Sequence, residues 1–309
     1  MKKALVLSGG SIKGAFQAGA IAEVFKSGFV PDAVYGTSVG SLNGGFLTER
    51  AGRAVAEGKS PIWPEIGSAL EKFWLEQVTS FKKIGRKRNI FELAYGVLCD
   101  QFDGFIDTKK LRELIHQELK VENLRQAPIG FSACAVNITN AEAVYAKPQD
   151  ADIIDYIIAS TAIPLTMPIS MIGNQPFVDG GIREVAPLRE AIKDGADEIM
   201  IIVCMPEDLG GASFNRKNVF ELVERFMDIV ENEIVNNDIR ECDAINQFTP
   251  PDGVPLTDGP FKGKRYIKLT IIRPDNPIAI DLENFTPEDI KNAISTGHSK
   301  AKEILESQS

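Results

Sequence analysis

The chain has 309 residues, 44% of them hydrophobic and 25% charged, and a net charge of −9 at neutral pH. That balance is ordinary for a soluble globular protein long enough to bury a sizeable core. It argues against nucleic acid as a partner, and against a protein that clings to anionic membranes through overall charge.

The first apolar run, residues 2–8, reads as a strand buried on both faces. It follows Met1-Lys2-Lys3 but stops at Ser8-Gly9-Gly10, short of the apolar core of a signal peptide. Gly9-Gly10-Ser11-Ile12-Lys13-Gly14 then opens a helix over residues 15–26, whose Ala15, Ala18, Gly19, Ile21, Ala22 and Phe25 suit tight packing. Strand, glycine loop and helix in that order place the loop's amides at the ligand-binding end of an open α/β sheet. A P-loop would need Lys after the last Gly, and a dinucleotide fingerprint would need G-x-G-x-x-G; the loop has neither. It fits an oxyanion hole built from amides near Gly10 and Ser11, or a turn that lets the helix pack closely.

A short strand at Ala33, Val34 and Tyr35 leads into Gly36-Thr37-Ser38-Val39-Gly40. Ser38 is the centre of G-x-S-x-G, the spacing of a nucleophile elbow. A serine on such a turn is held strained with its hydroxyl lifted clear. Gly36 and Gly40 lack the Cβ atoms that would collide where strand and helix pass. The following helix start points free N–H groups at whatever bonds to the serine.

Residues 50–125 read as mainly helical, with an amphipathic helix over 65–78 carrying Leu70, Phe73 and Trp74. Lys82, Lys83, Arg86, Lys87 and Arg88 gather beside Phe81, Ile90 and Phe91. The cluster fits either a transient contact with phospholipid headgroups or a solvated basic turn. Asp107-Thr108 caps a helix expected over 109–120. Strands follow at 129–137 and 143–146, and a helix at 152–160. The uncharged stretch 156–173 is long enough to raise the question of a membrane span, but Pro164 and Pro168 oppose one. Asp179-Gly180-Gly181 follows Pro176-Phe177-Val178. Further strands at 198–204 and 266–272 bracket a long helix over 218–246, and a last helix spans 287–305. Cys99, Cys134, Cys204 and Cys242 are widely spaced with no C-x-x-C, which speaks against a disulfide framework or zinc site. Buried thiols at Cys134 and Cys204, a reducing compartment and an unexported, cytoplasmic protein are expected.

Taken together and in this order, Gly9–Gly14, the turn at Ser38 and Asp179-Gly180-Gly181 resemble the signature of the patatin-like phospholipase family. Ala159-Ser160-Thr161-Ala162-Ile163-Pro164, Phe105-Ile106-Asp107-Thr108 with Leu111-Arg112, and the last helix are similar to that family too. The resemblance implies one α/β domain over 1–309, a three-layer α/β/α sandwich around a mainly parallel sheet. A helical insertion would occupy about 50–125, and a lid and closing segment about 206–309. It also implies a lipid acyl-ester hydrolase of the phospholipase A or lysophospholipase type, needing no metal or cofactor. Ser38 would be the nucleophile and Asp179 its proton acceptor. Gly9, Gly10, Ser11 and Val39 would supply the oxyanion hole, supported by Lys13, Gly14, Gly36, Gly40, Gly180 and Gly181. The family carries a third loop glycine where this chain has Ser11; a positive φ there would cost about 1 kcal/mol. Three alternatives stay open: a Ser38–Asp179–His298 triad acting on small esters, a non-catalytic scaffold that keeps the fold, and, more remotely, a nucleotide-binding protein.

Overall fold

The computed structural model describes residues 1–211 and 217–308. Strand β1 (Lys3–Leu7) runs into helix α1 (Gly14–Lys26), and β2 (Ala33–Thr37) runs into α2 (Val39–Ala56). The insertion contains α3 (Trp63–Gln77), α4 (Phe81–Ile84), β3 (Arg86–Lys87), α5 (Ile90–Leu98), β4 (Ile106–Asp107), α6 (Lys109–Glu118) and α7 (Val121–Gln126). Next come β5 (Gly130–Asn137), β6 (Glu142–Ala146), α8 (Ile153–Ser160), β7 (Ser170–Ile172) and β8 (Gln175–Asp179). The chain continues through α9 (Leu188–Lys193), β9 (Glu198–Ile202), α10 (Val219–Asn246), β10 (Lys268–Ile272) and α11 (Pro287–Ser307).

The main sheet has the order β10-β9-β1-β2-β5-β8-β7, with β6 also on β5. Strands β10, β9, β1, β2 and β5 are parallel, whereas β6, β7 and β8 pair antiparallel at one end. Helices cover both faces, so β1 has no solvent side: Leu5 and Leu7 join the larger core, and Ala4 and Val6 the smaller. The larger core lies under α1, α2, α3 and α11; the smaller one packs α9 and the Val235–Ile239–Cys242 stripe of α10 on the opposite face. This is the three-layer α/β/α sandwich around a mainly parallel sheet that the family resemblance implies.

One register decides where the site forms. Strand β6 occupies one edge of β5 across Ala133 to Asn137. The other edge is shared end to end. Strand β2 pairs as far as Thr37 with Cys134, and β8 takes over with Asp179 opposite Ala135. Adjacent residues of β5 therefore bring the end of β2 and the end of β8 together.

The insertion is less purely helical than its composition implies, since β3 and β4 pair antiparallel within it. The stretch 156–173 is the end of α8, a loop and β7, and no described helix is long and apolar enough to cross a membrane. Cys134 and Cys204 are buried free thiols, as their neighbours suggest, and Cys99 is an exposed one.

Candidate active site

Ser38 sits between β2 and α2 with φ 56° and ψ −128°, a conformation L-residues rarely adopt. Packing holds it there. A Cβ on Gly36 would lie 2.3 Å from the Gly40 carbonyl oxygen, and one on Gly40 would lie 2.2 Å from that of Leu7. The Ser38 N–H donates to Ser160 Oγ at 2.8 Å, and that hydroxyl donates to the Cys134 carbonyl at 2.5 Å. Thr37 Oγ1 donates to the Glu184 carbonyl at 2.8 Å. The turn is thus anchored from α8, from β5 and from the loop after Asp179.

Asp179 ends β8, with its N–H donating to the Ala162 carbonyl at 3.0 Å. Its carboxylate accepts the Gly181 N–H at 2.8 Å, and the Ser38 side chain faces it across the polar cavity both residues line. Ser38 is 5% exposed and Asp179 1%. Burial raises the Asp179 carboxyl well above its ordinary range, against the lowering effect of the nearby Ser38 side chain and the Gly181 amide.

The glycine loop closes over the same point. Gly10 has φ 146°, and a Cβ there would lie 2.4 Å from Cys204 Cβ. Ser11, where the family has glycine, does take a left-handed backbone, at φ 51°. Among the described residues no group accepts a hydrogen bond from the N–H of Gly10, Ser11 or Val39. Gly9 departs from expectation: its N–H donates to the Val185 carbonyl at 2.7 Å, so that amide is already engaged. Gly14 leaves room for the Val39 side chain, and Gly180 for the Cys134 carbonyl.

A buried polar chain under the loop fixes it to α1 and α2. Gln17 Nε2 donates to the Ser8 carbonyl at 2.8 Å, Asn43 Nδ2 to Gln17 Oε1 at 2.9 Å, and Trp74 Nε1 to Asn43 Oδ1 at 3.0 Å. The sequence reading placed Trp74 on an amphipathic helix but passed over Gln17 and Asn43. The signal was an amide side chain inside an otherwise small, apolar helix, once in α1 and once in α2.

Helix α10 roofs the polar side. Lys13 makes a 2.7 Å ion pair with Asp228 on that helix. Burial would lower the Lys13 pKa, but the attraction of Asp228 and the hydrogen bond to it leave it raised. Glu231, one turn further on, faces Asp179. A Cβ on Gly181 would lie 2.9 Å from Glu231 Oε1 and 3.2 Å from Asp179 Oδ1, so only glycine fits between the two carboxyl groups. Burial first, then the Asp179 charge, pushes the Glu231 pKa up. Nothing in the spacing of the sequence singles Glu231 out, because α10 is separated from Asp179 by other elements.

Ser38 lies between two cavities. One is an open, largely apolar cleft lined by Val39, Leu42, Phe73, Trp74, Ile163 and Met167, among others. The other is polar, bounded by Lys13, Asp179, Glu224, Asp228 and Glu231.

His298 does not join the site. It sits on α11, its Nδ1 2.8 Å from Glu23 Oε1 on α1 and its Nε2 against Glu71 on α3. His116 lies on the exposed side of α6. Among the described residues, no group of three or more His, Cys, Asp or Glu side chains is arranged to hold a metal ion.

Residues 5–192 match the sequence model of the family described as patatin-like phospholipase. The uncharacterized protein YjjU of Escherichia coli (strain K12) is 26% identical over 215 residues, which is 67% of this chain and 53% of YjjU. The chain therefore spans about half the length of that relative. Among solved structures, VipD from Legionella pneumophila superposes with a TM-score of 0.48 at 14% identity, over 99% of this chain and 67% of VipD. With the family match covering more than half of its length, the chain belongs to the patatin-like phospholipase family.

Proposed function

We propose that the chain hydrolyses acyl esters of lipids through a Ser38–Asp179 dyad and an acyl-enzyme. The observation that carries this is the placement of the strained Ser38 against a buried carboxylate of raised pKa, the two lining one polar cavity. An ordinary aspartate is a feeble base toward a hydroxyl, and burial is what makes this one stronger.

In the first half-reaction Ser38 Oγ attacks the ester carbonyl carbon, and its proton passes to the Asp179 carboxylate. The carbonyl oxygen takes the displaced electron pair and is held by the free amides of Gly10, Ser11 and Val39. Collapse breaks the ester C–O bond, and the departing alcohol oxygen takes the proton from Asp179. Asp179 then accepts a proton from water, whose oxygen attacks the acyl carbon. Release of the acid returns the proton to Ser38. The apolar cleft beside Ser38 suits an acyl chain, which favours lipid over small soluble esters as substrate.

The test is a panel of phospholipids, lysophospholipids, triglycerides and short p-nitrophenyl esters on wild type, Ser38→Ala and Asp179→Asn, with fluorophosphonate labelling alongside. Both variants should lose roughly 10³-fold or more of the rate, and Ser38→Ala should not label. A wild type that neither labels nor turns over any ester would mean a scaffold that keeps only the fold.

A further inference from the structure

Helix α5 has five large apolar side chains that nothing in the described chain covers. Ile90 is 71% exposed, Phe91 82%, Tyr95 62%, Val97 63% and Leu98 83%, and Gly96 is the one buried residue of the helix. Phe91, Tyr95 and Leu98 follow i, i+4, i+7 and so share one face. The helix is well formed. Asn89 and Glu92 make a reciprocal cap at its start, and Arg86 grips Glu92 at 2.9 Å. Contiguous exposed apolar surface of this kind marks an interaction site.

Charge says what kind of partner fits. Residues 81–110 hold seven Lys and Arg against four Asp and Glu, in a chain whose net charge is −9. Arg86 and Arg88 neutralise Glu92, Asp107 and Asp103. Lys82 and Lys83, both exposed, have no carboxylate partner among the described residues, and Lys110 reaches the Lys82 carbonyl at 2.7 Å. An apolar helix face with uncompensated lysines beside it matches a bilayer interface that presents anionic headgroups.

Position agrees with charge. Ile84, just before β3, lines the apolar cleft beside Ser38. Lys87 pairs with Glu283, next to the cleft residue Leu282. The Ile106 N–H donates to the Thr166 carbonyl at 2.9 Å, next to the cleft residue Met167. The segment bearing α5 is therefore tied to the cleft wall at three places, and Leu165 and Ile169 add exposed apolar side chains nearby.

We propose that the apolar face of α5, with Lys82, Lys83 and Lys110, docks on an anionic lipid bilayer and sets the apolar cleft against it. This rests on the reading of the chain as a lipid acyl hydrolase. Co-sedimentation is measured with vesicles of phosphatidylcholine alone and of phosphatidylcholine mixed with phosphatidylglycerol. The proteins are wild type, Phe91→Asp/Leu98→Asp and Lys82→Glu/Lys83→Glu. The apolar double variant should lose roughly tenfold or more in vesicle binding, and the charge variant the preference for phosphatidylglycerol. Both should hydrolyse soluble p-nitrophenyl butyrate within about twofold of wild type, since neither touches the dyad. Undiminished vesicle binding in both variants overturns the proposal. So does light scattering that shows a wild-type dimer broken by Phe91→Asp/Leu98→Asp while vesicle binding persists. Absence of both fluorophosphonate labelling and turnover of any ester in the panel by wild type would instead defeat the hydrolase reading, whatever the vesicles show.

Discussion

Ser160 holds the backbone of Ser38 from 122 positions away, taking its N–H at 2.8 Å while donating to the Cys134 carbonyl. Removing that hydroxyl leaves two buried backbone groups without their partner, a loss of about 1–3 kcal/mol. Ser160→Ala should therefore lower the urea midpoint. It should also reduce kcat about tenfold, with KM little changed, because the Ser38 turn is no longer pinned. An unchanged kcat would show that the glycines alone hold the turn.

Gly10→Ala places a methyl 2.4 Å from Cys204 Cβ at a backbone φ of 146°. The loop must move, and its amides with it. The expected result is a kcat loss of about 10²–10³-fold with circular dichroism preserved. Full activity in the variant would remove Gly10 from the proposed oxyanion hole.

Asp179 and Glu231 both titrate above the ordinary carboxylate range, chiefly because both are buried. Asp179 accepts a proton only when ionised, so kcat/KM should rise with pH through its raised value. The Asp179 charge pushes Glu231 higher still, so Glu231 stays neutral while Asp179 ionises, and Glu231→Gln should leave that rise where it is. Lys13 and Asp228, which also face Glu231, stay in place. Stability runs the other way. The carboxyls in their neutral forms contribute fully below their ordinary pKa values, and that contribution is lost as pH climbs through the raised ones. The Tm gain of Glu231→Gln should accordingly be larger near about pH 8 than near about pH 5. A rise that moves to lower pH in Glu231→Gln would show that Glu231 is already charged when Asp179 ionises.

His298→Ala should leave ester hydrolysis within about twofold of wild type, since its ring is engaged by Glu23 and Glu71 rather than by Asp179. Near-complete loss of activity in a folded variant would restore the histidine triad.

Much of the scaffold was legible because its signals are local. The apolar runs of β1, β2, β5 and β9 and the glycines around Ser38 express steric needs that can be read within a few residues. The two-residue β3 and β4, the β7–β8 hairpin and the short α9 carry too little pattern to be read that way. Asp179 was reached through the family resemblance, because Asp-Gly-Gly alone is an ordinary turn. Ser160 was visible as part of a resembling segment, but its bond to Ser38 was not. Glu231, the Lys13–Asp228 pair and the Gln17–Asn43–Trp74 chain depend on elements far apart in sequence, and the same distance hid the loss of the Gly9 amide to Val185. The helix cap expected at Asp107-Thr108 comes from Asp107, whose carboxylate takes the Lys109 N–H at 3.0 Å.

With a greasy slot on one flank of Ser38 and a charged chamber on the other, an ester seated there would be sorted by polarity before it was cut. The hydrocarbon tail and the alcohol half would point in opposite directions. The alcohol fragment would depart into the chamber beneath α10, and the incoming water would take the place it vacates. Traffic in both directions would then pass Lys13 and Asp228, whose ion pair lies on the wall of that chamber.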